Sequence, residues 1–132
     1  MAEPNVDEMV VDETPIVFVF SDARGKTASG VVEAAADQFV DGIIIIKQLG
    51  NVRSIDMVKD FLDANTTEKA DVAVFHTIVD RNLRREIRRE LDARGIPSVD
   101  LLGPSITIIS TLTGEEPVYE TGRRTTVQIE EA

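Results

Sequence analysis

Residues 16–27 read Ile16-Val17-Phe18-Val19-Phe20-Ser21-Asp22-Ala23-Arg24-Gly25-Lys26-Thr27, an apolar run followed by a polar turn. The first five residues are β-branched or aromatic without alternation, which is typical of a strand buried on both faces. The next segment places apolar residues at helical spacing, namely Ala28, Val31, Val32, Ala35, Ala36 and Phe39. The sequence therefore predicts a central strand, a polar turn and a helix with one buried face.

The same alternation continues along the chain. Further strands are predicted at residues 43–46, 72–75 and 99–101, and the intervening helices begin at Ser54 and Asp80, which are suited to capping. Strands that alternate with single helices indicate a parallel sheet with right-handed crossovers. We expect a three-layer α/β fold, Rossmann-like or flavodoxin-like. It would have a parallel sheet of about four strands, helices on both faces and, by preference, flavodoxin-like strand order.

The chain divides into three parts by composition. Residues 1–14 form an acidic lead expected to be flexible, residues 15–113 form the α/β domain, and residues 114–132 form a polar carboxyl-terminal arm. The segment after Pro104 is β-branched and compatible with a strand, but proline suits the first turn of a helix, which we favour. No internal repeat or low-complexity tract is present.

Charge and composition exclude several classes of function. The net charge is −10, and residues 15–113 account for only −2 of it, because the acidic residues concentrate at the two ends. An acidic balance of this kind argues against binding to a nucleic-acid backbone, which depends on clustered Lys and Arg. No apolar run approaches the length of a membrane span, the first residues are acidic, and cysteine is absent. We therefore expect a cytoplasmic protein without membrane or nucleic-acid partners.

Ligands of open α/β sheets bind beyond the carboxyl ends of the strands, so the loops that begin at Ser21, Leu49, Thr77 and Leu102 are the candidate sites. The first loop is the richest in ligand-binding groups: Gly25 permits close backbone approach, and Lys26 brings positive charge. Ser21 and Thr27 supply hydroxyl groups, and the start of the next helix supplies free N–H groups. This combination suits an anion such as phosphate.

The Gly25-Lys26-Thr27 triplet is not a P-loop, because that motif requires a glycine where this chain has Phe20. An alternative interpretation stays open, in which Ser21-Asp22 caps the turn and Lys26 is solvated. The only histidine, His76, is interpreted as structural, and Asp80 as a helix cap that could also contact a ligand.

The arginine-rich helix after Asp80 is interpreted as a solvated face, with Arg84 in its first turn the one side chain that could reach the site. The sequence shows no metal-ligand spacing and no nucleophile elbow. No catalytic residue is predicted.

Three segments together resemble the kinase-pyrophosphorylase family, whose members regulate pyruvate, phosphate dikinase or phosphoenolpyruvate synthase. They are the turn at residues 21–28, the segment Thr77-Ile78-Val79-Asp80-Arg81-Asn82-Leu83-Arg84, and the segment at residues 95–104, which reads Gly-Ile-Pro-Ser-Val-Asp-Leu-Leu-Gly-Pro. Val52-Arg53 matches a further pair of the family. The resemblance covers about residues 16–117. Ala23, Arg24 and Lys26 depart from it in the first turn, as does the tail from Gly122.

The resemblance implies a regulator that phosphorylates a threonine of its target with ADP as donor, and reverses this by a phosphate-dependent reaction that releases pyrophosphate. ADP and phosphate would be substrates, with no covalently bound cofactor. The family's phosphate-binding loop lies in a second, carboxyl-terminal domain that these 132 residues do not contain, so we expect the chain to be inactive alone. A homodimer is compatible with this class of domain. The expected ligand-binding residues are Ser21, Asp22, Gly25, Lys26, Thr27, Arg53, Thr77, Asp80 and Arg84.

Two other functions are weighed against this one. The chain could be a non-catalytic α/β module that holds phosphate or a nucleotide at the turn of residues 21–27. A receiver-like signalling domain fits the length but requires a phosphorylatable aspartate at the end of the third strand, where this chain has His76-Thr77.

Overall fold

The computed structural model of the protein describes residues 13–132, in which strands and helices alternate strictly. The elements are β1 (Ile16–Ser21), α1 (Lys26–Ala36), β2 (Ile45–Leu49), α2 (Ile55–Asn65), β3 (Val72–Thr77), α3 (Arg81–Ala93), β4 (Ser98–Asp100) and α4 (Gly103–Thr113). The acidic lead predicted for residues 1–14 lies almost entirely outside the described residues.

The four strands form one parallel sheet in the order β2-β1-β3-β4. This arrangement confirms the predicted parallel α/β fold, and the order is the flavodoxin-like one. β1 has neighbours on both sides, and its residues Phe18, Val19 and Phe20 are fully buried. A continuous apolar run is the pattern expected of such a central strand.

Both faces of the sheet are covered, as predicted. Phe18 and Phe20 pack on the face that carries α2 and α3, where the Phe61 ring meets both of them edge-on at centroid distances of 5.1 and 5.6 Å. Val19 packs on the opposite face with Ala28 and Val32 of α1. Alternate residues of β1 thus serve two separate cores, because successive side chains of a strand point to opposite faces.

The helix boundaries follow from capping chemistry. The Ser54 hydroxyl accepts a hydrogen bond from Met57 N at 3.3 Å, and Asp80 Oδ1 accepts one from Leu83 N at 2.8 Å. Both predicted caps are confirmed. The helix favoured after Pro104 is also confirmed as α4, with the proline in its first turn. Among the described residues, no helix is long and apolar enough to cross a membrane.

The bounds of the second strand and part of the buried face of the first helix are predicted wrongly. The second strand is Ile45–Leu49 rather than residues 43–46, and it includes the exposed residues Lys47 and Gln48. β2 lies at the edge of the sheet, where polar side chains are tolerated. The predicted buried line of the first helix also contains Val31, Ala35 and Phe39, all of which are exposed; α1 ends at Ala36, before Phe39.

Candidate functional site

The loops after β1 and β3 meet at the carboxyl edge of the sheet. Ser21 and Thr77 are paired in register at the ends of the two strands, and Asp22 N donates a hydrogen bond to Thr77 O at 3.4 Å. The helix after β1 and the helix after β3 lie on opposite faces of the sheet. This is the switch point at which ligands of open α/β sheets bind.

A cleft of about 510 Å³ opens at this point, and we call it the carboxyl-edge cleft. Its lining residues are Ser21, Asp22, Ala23, Arg24, Gly25, Lys26, Thr27, Thr77, Val79, Leu102, Glu120, Gly122, Arg123 and Arg124. A neighbouring hollow of about 410 Å³, here the side recess, is lined by Asp22, Val52, Arg53, Ser54, Ile55, Asp80, Asn82, Leu83, Glu86 and Thr121. Asp22 borders both cavities.

Asp22 is the polar centre of the site, because its side chain and its backbone hold three other segments. Its carboxylate oxygen Oδ2 accepts hydrogen bonds from Val79 N at 2.7 Å and from the Thr121 hydroxyl at 3.2 Å. Its carbonyl accepts one from Arg53 Nη1 at 2.6 Å. The residue is only 7% exposed, so the two bonds to its carboxylate compensate for the burial of that group.

The start of α1 faces the cleft with its backbone open. The N-cap residue of the helix, Gly25, has φ +81°, and no side chain accepts a capping hydrogen bond from the first turn. The helices α2 and α3 have capping side chains, and Asp100 accepts from Leu102 N and Gly103 N at the start of α4. Among the described helices, α1 is therefore the one whose free N–H groups have no side-chain acceptor, which suits an anionic ligand.

The predicted site residues fall into three groups. Six of them line the carboxyl-edge cleft, namely Ser21, Asp22, Gly25, Lys26, Thr27 and Thr77. Arg53 and Asp80 line the side recess, where Asp80 is engaged as the cap of α3. Arg84 lines neither cavity and pairs with Asp100 at 3.5 Å.

Sequence reasoning missed the contribution of the arm. Residues Glu120, Gly122, Arg123 and Arg124 form one wall of the carboxyl-edge cleft, and Thr121 borders the side recess. The arm has no helical or strand periodicity that would place it there. The one available signal was the Gly-Arg-Arg triplet, which adds two positive charges to an otherwise acidic segment.

His76 lies outside both cavities and is 1% exposed. Burial lowers the pKa of its imidazole below the usual 6.5; Asp100 opposes this shift, while Arg84 and Arg88 reinforce it. The imidazole is therefore neutral at neutral pH. Among residues 13–132, no group of His, Asp or Glu side chains is arranged to hold a metal ion.

The fold and the site together define a class of protein: a parallel α/β domain with an open helix start at its switch point, an arrangement suited to phosphate groups. A family model described as "Kinase/pyrophosphorylase" matches residues 17–131, and the chain belongs to this family. The match includes most of the carboxyl-terminal arm, beyond the extent of the resemblance seen in the sequence.

Similar proteins are named as regulators of one enzyme. The chain is 34% identical over 110 residues to a putative pyruvate, phosphate dikinase regulatory protein of Halalkalibacterium halodurans. The aligned segment covers 83% of this chain and 40% of that protein. Proteins with the same name show 29% identity over 112 residues in Carboxydothermus hydrogenoformans (85% and 40%) and 34% over 106 residues in Lactiplantibacillus plantarum (80% and 38%). The chain thus spans about 40% of the length of these curated relatives.

Proposed function

We propose that this chain is the amino-terminal domain of a bifunctional regulator of pyruvate, phosphate dikinase or phosphoenolpyruvate synthase. In one direction the regulator transfers the β-phosphate of ADP to the hydroxyl group of a threonine of its target and releases AMP. In the other, inorganic phosphate removes that group and pyrophosphate is released. Family membership and the names of the relatives support the regulatory role.

The observation that carries the proposal is the convergence of the turns at Ser21 and Thr77 around the open start of α1. Gly25, Lys26 and Thr27, at the start of α1, line a cleft large enough for a phosphate-bearing group. A volume of about 510 Å³ is within the ordinary range of small-molecule sites. The domain would thus supply one half of a phosphoryl-transfer site.

The isolated chain is proposed to be inactive. Phosphoryl transfer depends on positioning and on charge stabilisation around the transferred group, which a P-loop provides in many such enzymes. In this chain the position that a P-loop glycine would occupy is Phe20, a fully buried strand residue. The cleft has an ammonium group and free N–H groups but no such loop, so ADP would need a second domain.

The test is transfer of label from ADP carrying ³²P at its β-phosphate to purified pyruvate, phosphate dikinase. The chain alone should transfer none. The chain joined to the remaining carboxyl-terminal part of the Halalkalibacterium halodurans relative should label a threonine. In that fusion, Lys26→Gln should lower the rate at least about tenfold, since a charge-assisted bond contributes roughly 1.5–3 kcal/mol.

The matched control is Lys47→Gln, which removes an exposed ammonium group on the edge strand β2 and should leave the rate unchanged. Label transfer by the chain alone would contradict the proposed inactivity. If the fusion is active and Lys26→Gln lowers its rate of label transfer no more than Lys47→Gln does, the carboxyl-edge cleft has no part in the transfer.

The second candidate is a non-catalytic module that binds phosphate or a nucleotide in the carboxyl-edge cleft. The uncapped start of α1 favours it, because this feature needs no second domain to attract an anion. Thermal unfolding with millimolar phosphate, ADP or AMP tests it. A ligand at 100 times its dissociation constant stabilises the folded state by about 2.7 kcal/mol. Equal melting temperatures with and without all three compounds would exclude this function.

We further propose a cytoplasmic location and association into a homodimer. The absence of cysteine supports the first. Apolar side chains on α4 support the second, since Ile108, Ile109 and Leu112 are 61%, 61% and 80% exposed. Sedimentation equilibrium should give twice the monomer mass, and Ile108→Ser with Leu112→Ser should return the monomer. A wild-type chain that sediments as a monomer at high micromolar concentration would rule out the homodimer.

A further inference from the structure

One face of α3 carries four arginines. Arg81, Arg84, Arg85 and Arg88 follow the spacing i, i+3, i+4, i+7, which brings their side chains to the same side of the helix. Like charges at this spacing repel one another. Within residues 13–132, only Arg84 of the four has an ionic partner, the carboxylate of Asp100 at 3.5 Å.

Arg94 differs from these four arginines because it has two carboxylate partners. Arg94, just beyond the end of α3, pairs with Glu90 at 2.8 Å and with Asp63 at 2.9 Å. Such pairs with carboxylates neutralise the charge of a guanidinium group on a surface helix. Within residues 13–132, the arginine face of α3 has no such pair except that of Arg84 with Asp100, so most of its positive charge is not neutralised by carboxylates there.

The arginine face borders a recess of about 190 Å³, which we call the arginine recess. Its lining residues are His76, Arg81, Arg84, Arg85, Arg88 and Asp100. No lining residue is shared with the carboxyl-edge cleft or the side recess, so the arginine recess is a separate cavity. Four guanidinium groups against one carboxylate leave it strongly positive.

His76 lines the same recess and supplies an independent observation. The residue is 1% exposed, and its Nδ1 atom has no hydrogen-bond partner. In the described part of the chain it is the one buried side-chain nitrogen or oxygen in this condition. Buried polar atoms of native proteins nearly always have partners, so the unpaired Nδ1 atom beside four arginines calls for an explanation, and a bound ion is one of the usual ones.

The wall opposite the arginines is fixed. Asp100 Oδ1 accepts hydrogen bonds from Leu102 N at 3.0 Å and from Gly103 N at 2.8 Å, while its other oxygen faces Arg84. A β-carbon at Gly103 would collide with the Asp100 carboxylate and lie 3.1 Å from Arg84 Cζ. Glycine at this position therefore lets the carboxylate and the guanidinium pack against the start of α4. Since Asp100 is held in place, Arg84 is held with it.

We propose that the arginine recess binds a phosphate group, as free orthophosphate or as the phosphate of a small ester. The planar guanidinium group donates paired hydrogen bonds that match the oxygens of phosphate. A volume of about 190 Å³ is below the usual range for drug-sized ligands, and the recess has no aromatic side chain beyond His76 on which a base could stack. This inference does not depend on the proposed phosphotransferase activity.

The experiment uses the fact that His76 is the only histidine, so one imidazole signal reports on the site in an NMR spectrum of the full chain. Orthophosphate and glycerol phosphate are titrated separately at constant ionic strength, with chloride as the balancing salt. A saturable change in the His76 signal with either compound supports the proposal, and the tighter of the two identifies the source of the phosphate group. A signal that moves no more than in chloride alone overturns it.

Variants separate this recess from the carboxyl-edge cleft. Arg85→Gln with Arg88→Gln changes two exposed side chains and should weaken binding about tenfold or more, because charge-assisted hydrogen bonds are lost. Arg89 is on the same helix but does not line the recess, and Lys26 lies in the carboxyl-edge cleft. Arg89→Gln and Lys26→Gln should therefore both leave the phosphate titration of the His76 signal as it is in the wild type. Equal affinity of the double variant and Arg89→Gln overturns the proposal, as does a loss caused by Lys26→Gln alone.

Discussion

The carboxylate of Asp22 and the hydroxyl of Thr121 lie 3.2 Å apart, although 99 positions separate them in the sequence. The same carboxylate oxygen accepts a hydrogen bond from Val79 N at 2.7 Å. One side chain at the end of β1 therefore joins the loop after β3 to the carboxyl-terminal arm. The wall of the carboxyl-edge cleft is built from segments at both ends of the described chain.

Asp22→Ala should destabilise the protein by about 1–3 kcal/mol. The substitution leaves the partly buried Val79 N–H without its acceptor, and an unsatisfied buried donor has a cost of that size. Urea unfolding followed by circular dichroism measures the change. The control is Asp60→Ala, at an exposed position in α2, where a shift within about 0.5 kcal/mol is expected. Equal effects of the two substitutions would show that the Asp22 network contributes no stability.

Thr121→Val should loosen the arm over the cleft without unfolding the domain. It removes the one hydrogen bond between the Thr121 hydroxyl and Asp22, whose net contribution is about 0.5–1.5 kcal/mol. Amide exchange in residues 117–124 should therefore become roughly two- to tenfold faster. Thr126→Val, at an exposed position further along the arm, is the control and should change nothing. Unaltered exchange in Thr121→Val would mean that the bond does not hold the arm.

Two glycine substitutions should have opposite effects. Gly25 has φ +81°, and an added β-carbon would lie 3.2 Å from Gln48 Oε1, so Gly25→Ala should destabilise by about 1–2 kcal/mol. Gly30 lies within α1 with open space around its Cα, so Gly30→Ala should stabilise by about 0.5–1 kcal/mol. Melting temperatures measure both. A stabilising Gly25→Ala would contradict the left-handed turn described for the start of α1.

Stability should fall as the pH drops below 6.5. The pKa of His76 is lowered in the folded protein, mainly by burial, so the unfolded chain binds the proton first. Stability is therefore fully present above pH 6.5 and declines as the pH falls from there towards the folded-state pKa. Urea unfolding between pH 5 and 7.5 tests this. In His76→Gln the slope should flatten over that interval, and a slope identical to the wild type would assign the effect to other groups.

The sequence predicted the fold because its signals are local. The unbroken apolar run of residues 16–20 indicates a strand buried on both faces, and Ser54 and Asp80 mark helix starts through their own capping bonds. The position of β2 was missed because Lys47 and Gln48 interrupt its apolar pattern. That interruption is tolerated at a sheet edge, and edge positions are fixed by strand order rather than by local composition.

The site was predicted only in part, because some of its contacts are not local. The turn of residues 21–27 follows directly from the first strand and is found in the cleft. The bond between Thr121 and Asp22 joins an aperiodic arm to a distant loop, which no pattern within the arm indicates. The arginine face of α3 was interpreted as a solvated surface, because the sequence does not show that His76 and Asp100 enclose it.

The position of β1 between β2 and β3 has a consequence for synthesis on the ribosome. Of the four described strands β1 is translated first, yet its second hydrogen-bonded neighbour is complete only when Thr77 has left the exit tunnel. Until then one edge of the strand is open, and Phe18 and Phe20 lack part of the cover that β3 and α3 later give them. A nascent chain of this protein therefore passes through a stage that is prone to association, and that stage ends only once most of the domain has been made.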